Sequence, residues 1–117
     1  MNKVFKVGLI GCGHISETYF RGHEYFNNFQ IVKCADINQE NAKKCAETYG
    51  ISASSVEDLL NDSAIEIVLN LTIPRAHFEV AKQSLEKGKH VYSEKPMAVN
   101  FSEGQELLEL AKSKDLY

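Results

Sequence analysis

Short apolar runs alternate with amphipathic stretches along the whole of this 117-residue chain, and that rhythm leaves few folds open to it. Phe5–Ile10 is one run, ended by Gly11, and Phe29–Ala35 is a second, ended by Asp36. Residues 64–71 form a third, rich in Ile, Val and Leu, and a fourth at residues 90–93 follows Gly88. Apolar runs of this length, without strict alternation, belong to strands covered on both faces. Between them, residues 16–27 carry Tyr19, Phe20, His23 and Phe26 at helical spacing. Asn38 is placed to cap a helix over 39–49, and Gly50 to end it in a left-handed conformation. Pro74 opens a further helix that reaches residue 87 with Val80, Ala81 and Leu85 on one face, closed by Gly88. Ser102 and Gln105 have capping-box spacing ahead of Leu107, Leu108, Leu110 and Ala111. Residues 51–63 predict a very short strand at 51–53 and a helical turn at 56–60. Strand–helix alternation of this kind means right-handed βαβ units, hence an α/β fold with a doubly wound parallel sheet.

The length suits one domain with a single core. Thirteen basic against sixteen acidic residues leave a net charge of 13 − 16 = −3, which invites neither nucleic acid nor an anionic membrane. No apolar run approaches the ~18 residues of a membrane-spanning helix. The first apolar run lacks a small-residue cleavage site after it, which argues against a signal peptide and for a cytoplasmic protein. Cys12, Cys34 and Cys45 are odd in number, form no C-x-x-C and have no His at ligand spacing. That pattern predicts neither a disulfide framework nor a metal site, but reduced thiols acting as small hydrophobes.

Gly11-Cys12-Gly13-His14-Ile15-Ser16 reads G-x-G-x-x-S, directly after the first strand and opening the first helix. Such a loop needs its first Gly for a tight turn and its second so that backbone can approach a pyrophosphate. The free N–H groups of the helix start, Ile15 among them, then hold the anion, and His14 contributes chiefly its backbone N–H. Ser16 stands where Gly or Ala is usual and is small enough to serve. Asp36, at the end of the second strand, lies about 20 residues on, where a carboxylate accepts the ribose hydroxyls of adenosine. The same carboxylate would repel a 2′-phosphate, and Ile37, Asn38 and Gln39 supply no Arg to hold one, so NAD is expected over NADP. A methyltransferase loop would carry a third Gly where Ile15 stands and an acid shortly before it; residues 7–10 offer none.

Gly88-Lys89-His90-Val91-Tyr92-Ser93-Glu94-Lys95-Pro96 closes the motif set. A strand ending in Glu-Lys-Pro after G-K-H-V resembles the glucose–fructose oxidoreductase/inositol dehydrogenase (Gfo/Idh/MocA) family. The loop, Asp36, and Thr72 with His77 occur in that family's order, and the resemblance runs from Lys6 to Lys114. It implies an NAD(P)-binding Rossmann fold with strand order 3-2-1-4-5 in a three-layer αβα arrangement. It also implies that Lys95 is the catalytic lysine near the nicotinamide and the reacting oxygen of the substrate, and that Glu94 lies beside the nicotinamide ribose. An ammonium there can orient a hydroxyl and stabilise alkoxide character. Thr72 matches the family's Thr at the end of the fourth strand, but the Pro that commonly follows it comes one place late, as Pro74. His77 shares a stripe with Val80, Ala81 and Leu85 and reads as a packed core histidine. His23 and His90 carry no role.

The family's acid–base residues and most of its substrate pocket lie beyond this half, so residues 1–117 are expected to be the dinucleotide-binding domain of a longer protein whose substrate domain is absent from this chain. The expected activity of the whole is hydride transfer between nicotinamide and a sugar, cyclitol or related polyol, with little turnover by this half alone. The partners implied are the dinucleotide, a small polyol-type substrate and, for the parent, further copies of itself. An alternative reading is a non-catalytic NAD(H) sensor or regulatory module, which would have no need of Lys95.

Overall fold

The computed structural model of the chain describes residues 4–13, 19, 28–93 and 101–117. Among the described residues, nine elements follow one another: β1 (Phe5–Ile10), β2 (Phe29–Ala35), α1 (Gln39–Tyr49), β3 (Ser52–Ser54), α2 (Val56–Asn61), β4 (Ile67–Asn70), α3 (Pro74–Glu86), β5 (His90–Ser93) and α4 (Phe101–Ser113). The five strands form one parallel sheet in the order β3-β2-β1-β4-β5, the doubly wound order expected. β1 is central because its apolar residues are needed on both faces. Val7 and Leu9 join Ile31, Cys34 and Leu69 in a core under α1, while Ile10 packs with Ala35, Val68, Leu59 and Leu60 under α2. A third cluster of Ala81, Leu85 and Leu107, with Val91 against it, seats α4 on α3 and β5.

Local chemistry sets the helix ends. Asn38 Oδ1 accepts from the backbone N–H groups of Glu40 (3.0 Å) and Asn41 (3.4 Å), a cap contributing about 1 kcal/mol. Gly50 ends α1 at φ 68°, as its position in the sequence predicts. Ser55 caps α2 by accepting from Asp58 N at 3.1 Å. Pro74 occupies the first turn of α3, where its missing N–H removes no helical bond. One step in the β1–β2 register skips Val32, between the Val7–Ile31 and Gly8–Lys33 pairs. A Cβ on Gly8 would stand 2.7 Å from Leu59 Cδ2, so α2 comes close to β1 here.

Three expectations are corrected. The short strand lies one residue later than predicted, at Ser52–Ser54. The apolar run of 64–71 yields a strand only at Ile67–Asn70, because Asp62 draws the preceding residues into a turn, accepting from Ala64 N on its side chain (2.9 Å) and from Ile65 N on its carbonyl (3.1 Å). Ser102 lies inside α4 rather than at its cap, since the helix already includes Phe101. The helical expectation for 16–27 falls outside the described residues apart from Tyr19, whose ring meets Tyr92 edge-on at 6.2 Å.

Lys89, which sequence patterning left without a role, secures that turn. It is 5% exposed, and its Nζ donates to the carbonyls of Asp62 (2.6 Å) and Ile65 (2.8 Å). Burial pulls its pKa below the ordinary lysine value, opposed by the Asp62 carboxylate. A single ammonium thus ties the entry of β4 to the entry of β5.

Candidate functional site

In an open parallel sheet, ligands collect where the strand order reverses, beyond the C-terminal ends of the strands. Here that point lies between β1 and β4. Gly11 N donates to Ala35 O at 2.9 Å and Leu71 N donates to Ile10 O at 2.8 Å, so the chain leaves β1 gripped by both neighbours. Gly11 has φ 102°, and a Cβ on it would lie 2.5 Å from Leu71 O and 2.6 Å from Leu71 C. Backbone meets backbone at that spot, which is why glycine stands there. Among the described residues, a Cβ on Gly13 would meet nothing within 4 Å, and Gly13 lines the same cleft as Asp36.

Asp36 is bound into the same loop. Its Oδ2 accepts from Cys12 N at 2.7 Å and its Oδ1 from Asn38 N at 2.8 Å. Each oxygen keeps a second lone pair, so the carboxylate is held in place yet able to accept two hydroxyl protons from a diol. Across the cleft, Asn70 organises the end of β4. It is fully buried; its Nδ2 donates to His77 O at 2.9 Å, and its Oδ1 accepts from Thr72 Oγ1 at 2.7 Å and from Thr72 N at 3.4 Å. The Thr72 hydroxyl therefore spends its proton on Asn70 and turns its oxygen lone pairs to other donors. His77 is buried at 1% exposure within α3, in keeping with a packed core residue.

Gly11, Gly13, Asp36 and Thr72 line one cleft of about 270 Å³, with Ile37 and Ile73 at its apolar rim. Those two side chains are 85% and 59% exposed, an apolar surface suited to a flat heterocycle. The other site residues named from sequence, His14, Ile15, Glu94 and Lys95, lie outside the described residues. Asn70 was missed, although it is the one uncharged polar residue in the otherwise apolar run 67–71, a pattern that itself signals a buried hydrogen-bonding duty.

The remaining cluster at the loop is sulfur. Cys12 in the loop, Cys34 in β2 and Cys45 in α1 are free thiols whose Sγ atoms all lie within 4.8 Å of one another. Cys12 Sγ also approaches Ala35 O, and Cys34 Sγ Ala42 O, both at 3.5 Å. Hydrogen bonding from Cys12, then Cys34, brings the Cys45 thiol down in pKa despite burial. Cys12 is pushed up by Cys34, by Cys45 and by burial. Cys34, drawn down by Cys12, is raised by more through Cys45 and burial.

A family model, an oxidoreductase family with an NAD-binding Rossmann fold, matches residues 5–117. The chain belongs to the Gfo/Idh/MocA family. It is 35% identical over 108 residues to glucose-6-phosphate 3-dehydrogenase of Bacillus subtilis, covering 92% of this chain and 30% of that protein. It is 30% identical over 113 residues to inositol 2-dehydrogenase/D-chiro-inositol 3-dehydrogenase of Lactiplantibacillus plantarum, covering 93% and 32%. Among solved structures, biliverdin reductase of Synechocystis, determined with biliverdin and NADP+, superposes with a TM-score of 0.88 at 31% identity, covering 95% of this chain and 35% of that one. The chain thus spans about a third of the length of the curated relatives it matches. This Gfo/Idh/MocA chain is an NAD(P)-binding Rossmann domain of an oxidoreductase family. Among its described residues, no helix is long and apolar enough to cross a membrane.

Proposed function

We propose that this chain is the dinucleotide-binding part of a cytoplasmic dehydrogenase that oxidises a CH–OH group of a sugar, cyclitol or related polyol. The observation that carries the reading is the cleft in which a glycine turn and a doubly anchored carboxylate face one another. The residues fit a dinucleotide: Gly11 permits the tight turn against Leu71, Gly13 lines the cleft where a pyrophosphate would approach the backbone, and Asp36 offers acceptors for a ribose diol. Thr72 presents its hydroxyl oxygen on the opposite wall. A bound nicotinamide dinucleotide supplies the hydride-accepting or hydride-donating ring. The N–H groups of His14 and Ile15 would face the pyrophosphate, Glu94 the nicotinamide ribose, and Lys95 the reacting oxygen, as the family resemblance implies. The dehydrogenase names of the relatives favour this reading over an NAD(H) sensor.

NAD is the preferred cofactor. A carboxylate fixed by two backbone N–H groups cannot swing away from a 2′-phosphate, and Ile37 beside it brings no positive charge. Titration of NADH fluorescence against the chain should therefore saturate, with NADPH binding more weakly. Asp36→Ala should weaken NADH by roughly 10–100-fold, about 1.4–2.8 kcal/mol, and NADPH by less. Absence of saturable NADH binding at millimolar concentration would sink the proposal, and a tighter grip on NADPH by the unmutated chain would reverse the cofactor preference.

Lys95 can be separated from cofactor binding in a chain that carries its substrate half. Lys95→Ala should lower turnover by about 10²–10³-fold, the scale of losing one charge-stabilising donor, while leaving the NADH titration unchanged. Equal losses in both would mean that the lysine shapes the fold or the cofactor cleft instead.

A further inference from the structure

The structure assigns to Cys12, Cys34 and Cys45 a site for a thiophilic divalent cation of the zinc class, held by three sulfurs beneath the phosphate-loop turn. The residues are 22 and 11 positions apart in the chain, so no ligand-spacing motif announces them. The parallel pairing of β1 with β2 and the packing of α1 on that face bring them together.

Three observations carry the assignment. The Sγ atoms are mutually within 4.8 Å, whereas sulfurs sharing a tetrahedral zinc at about 2.3 Å stand about 3.8 Å apart, so side-chain adjustments of an ångström or less close the site. The three ligands come from supports that are themselves held. Cys34 and Cys45 sit in a strand and a helix, and the Cys12 backbone is pinned by its 2.7 Å bond to Asp36. Burial differs across the cluster: Cys34 and Cys45 are buried, whereas Cys12, in the loop, is only partly so. Three thiolates around a divalent cation leave one negative charge, far less to bury than three. The thiols release their protons on binding, and the Sγ contacts to the Ala35 and Ala42 carbonyls give way to metal–sulfur bonds.

A cation held there would lock the second residue of the loop to β2 and α1, and it would stabilise the folded chain by mass action. The site does not depend on the dinucleotide reading, because its test needs no cofactor. Cd2+, which reports its sulfur ligands by an ultraviolet charge-transfer band, is titrated into the reduced, unliganded full chain. The expected result is saturation at one Cd2+ per chain, a band scaled to three thiolates, and a higher melting temperature. Zn2+ should displace the Cd2+. Cys45→Ala and Cys34→Ala should each weaken binding by more than the ~10–100-fold that losing an outer-shell partner costs. The intensity of the Cd2+–thiolate band per bound ion in the unmutated chain decides the matter even where a variant fails to fold. Absence of saturable binding, a band scaled to only one or two thiolates, or unchanged affinity in a folded Cys45→Ala chain would overturn the assignment.

Discussion

Gly11→Ala should be among the most damaging single changes in this chain, lowering its stability by about 3–5 kcal/mol and its melting temperature by roughly 12–20 °C. Two costs add. A residue with a side chain at φ 102° is strained by about 1–3 kcal/mol whatever surrounds it. The new Cβ would also lie 2.5 Å from Leu71 O and 2.9 Å from Thr72 N, which are backbone atoms at the end of β4 and cannot turn aside as a side-chain tip can. Relief requires the first two turns of the site, after β1 and after β4, to separate, so residual folded protein should also lose dinucleotide affinity. Gly50→Ala provides the comparison. It has φ 68° but none of the described residues within 4 Å of its Cβ, so it should show the strain alone, about 1 kcal/mol. Denaturant unfolding of both variants reads the difference. Equal destabilisation would show that the close approach to Leu71 yields freely and that conformation alone demands glycine at both places.

Asn70→Ala should cost about 2–4 kcal/mol, measured as a lower denaturant midpoint with an unchanged slope. The side chain is fully buried and serves three groups on two segments, the His77 carbonyl and the Thr72 hydroxyl and N–H. Removal leaves buried polar groups without their partners, and it also opens a small cavity. Asn70→Asp separates the two halves of the role. It keeps the oxygen that accepts from Thr72 but removes the donor to His77 and places a carboxylate against a carbonyl. It should therefore be as damaging as Asn70→Ala for stability at neutral pH, and less so under acid conditions, where a protonated carboxyl can donate. A loss below about 1 kcal/mol for Asn70→Ala would mean that Thr72 and α3 hold their places without it.

Much of this architecture can be read directly from the chain. The bounds of β1, β2, α1 and β5 follow from apolar runs and from Gly11, Asn38 and Gly50, signals that act within a few residues of where they stand. The third apolar run misleads because hydrophobicity does not distinguish a strand from the buried turn that leads into it. Asp62 and Lys89 make that distinction by hydrogen bonds to the backbone of 62–65. Ser102 misleads for a related reason: the spacing of a capping box is satisfied within a helix as well as at its cap, and Phe101 is already helical.

The glycine loop, the strand-end Asp36 and the order of strands and helices were determined by sequence alone, because backbone freedom, side-chain period and crossover handedness are local or nearly so. Only the tertiary structure decided that Asp36 closes on Cys12, that Asn70 joins Thr72 to His77, and that three cysteines read as separate small hydrophobes meet in one place. Those meetings depend on the register of parallel strands and on which face each helix covers. Both are set by the packing of the whole sheet, and neither is written at any one position in the chain.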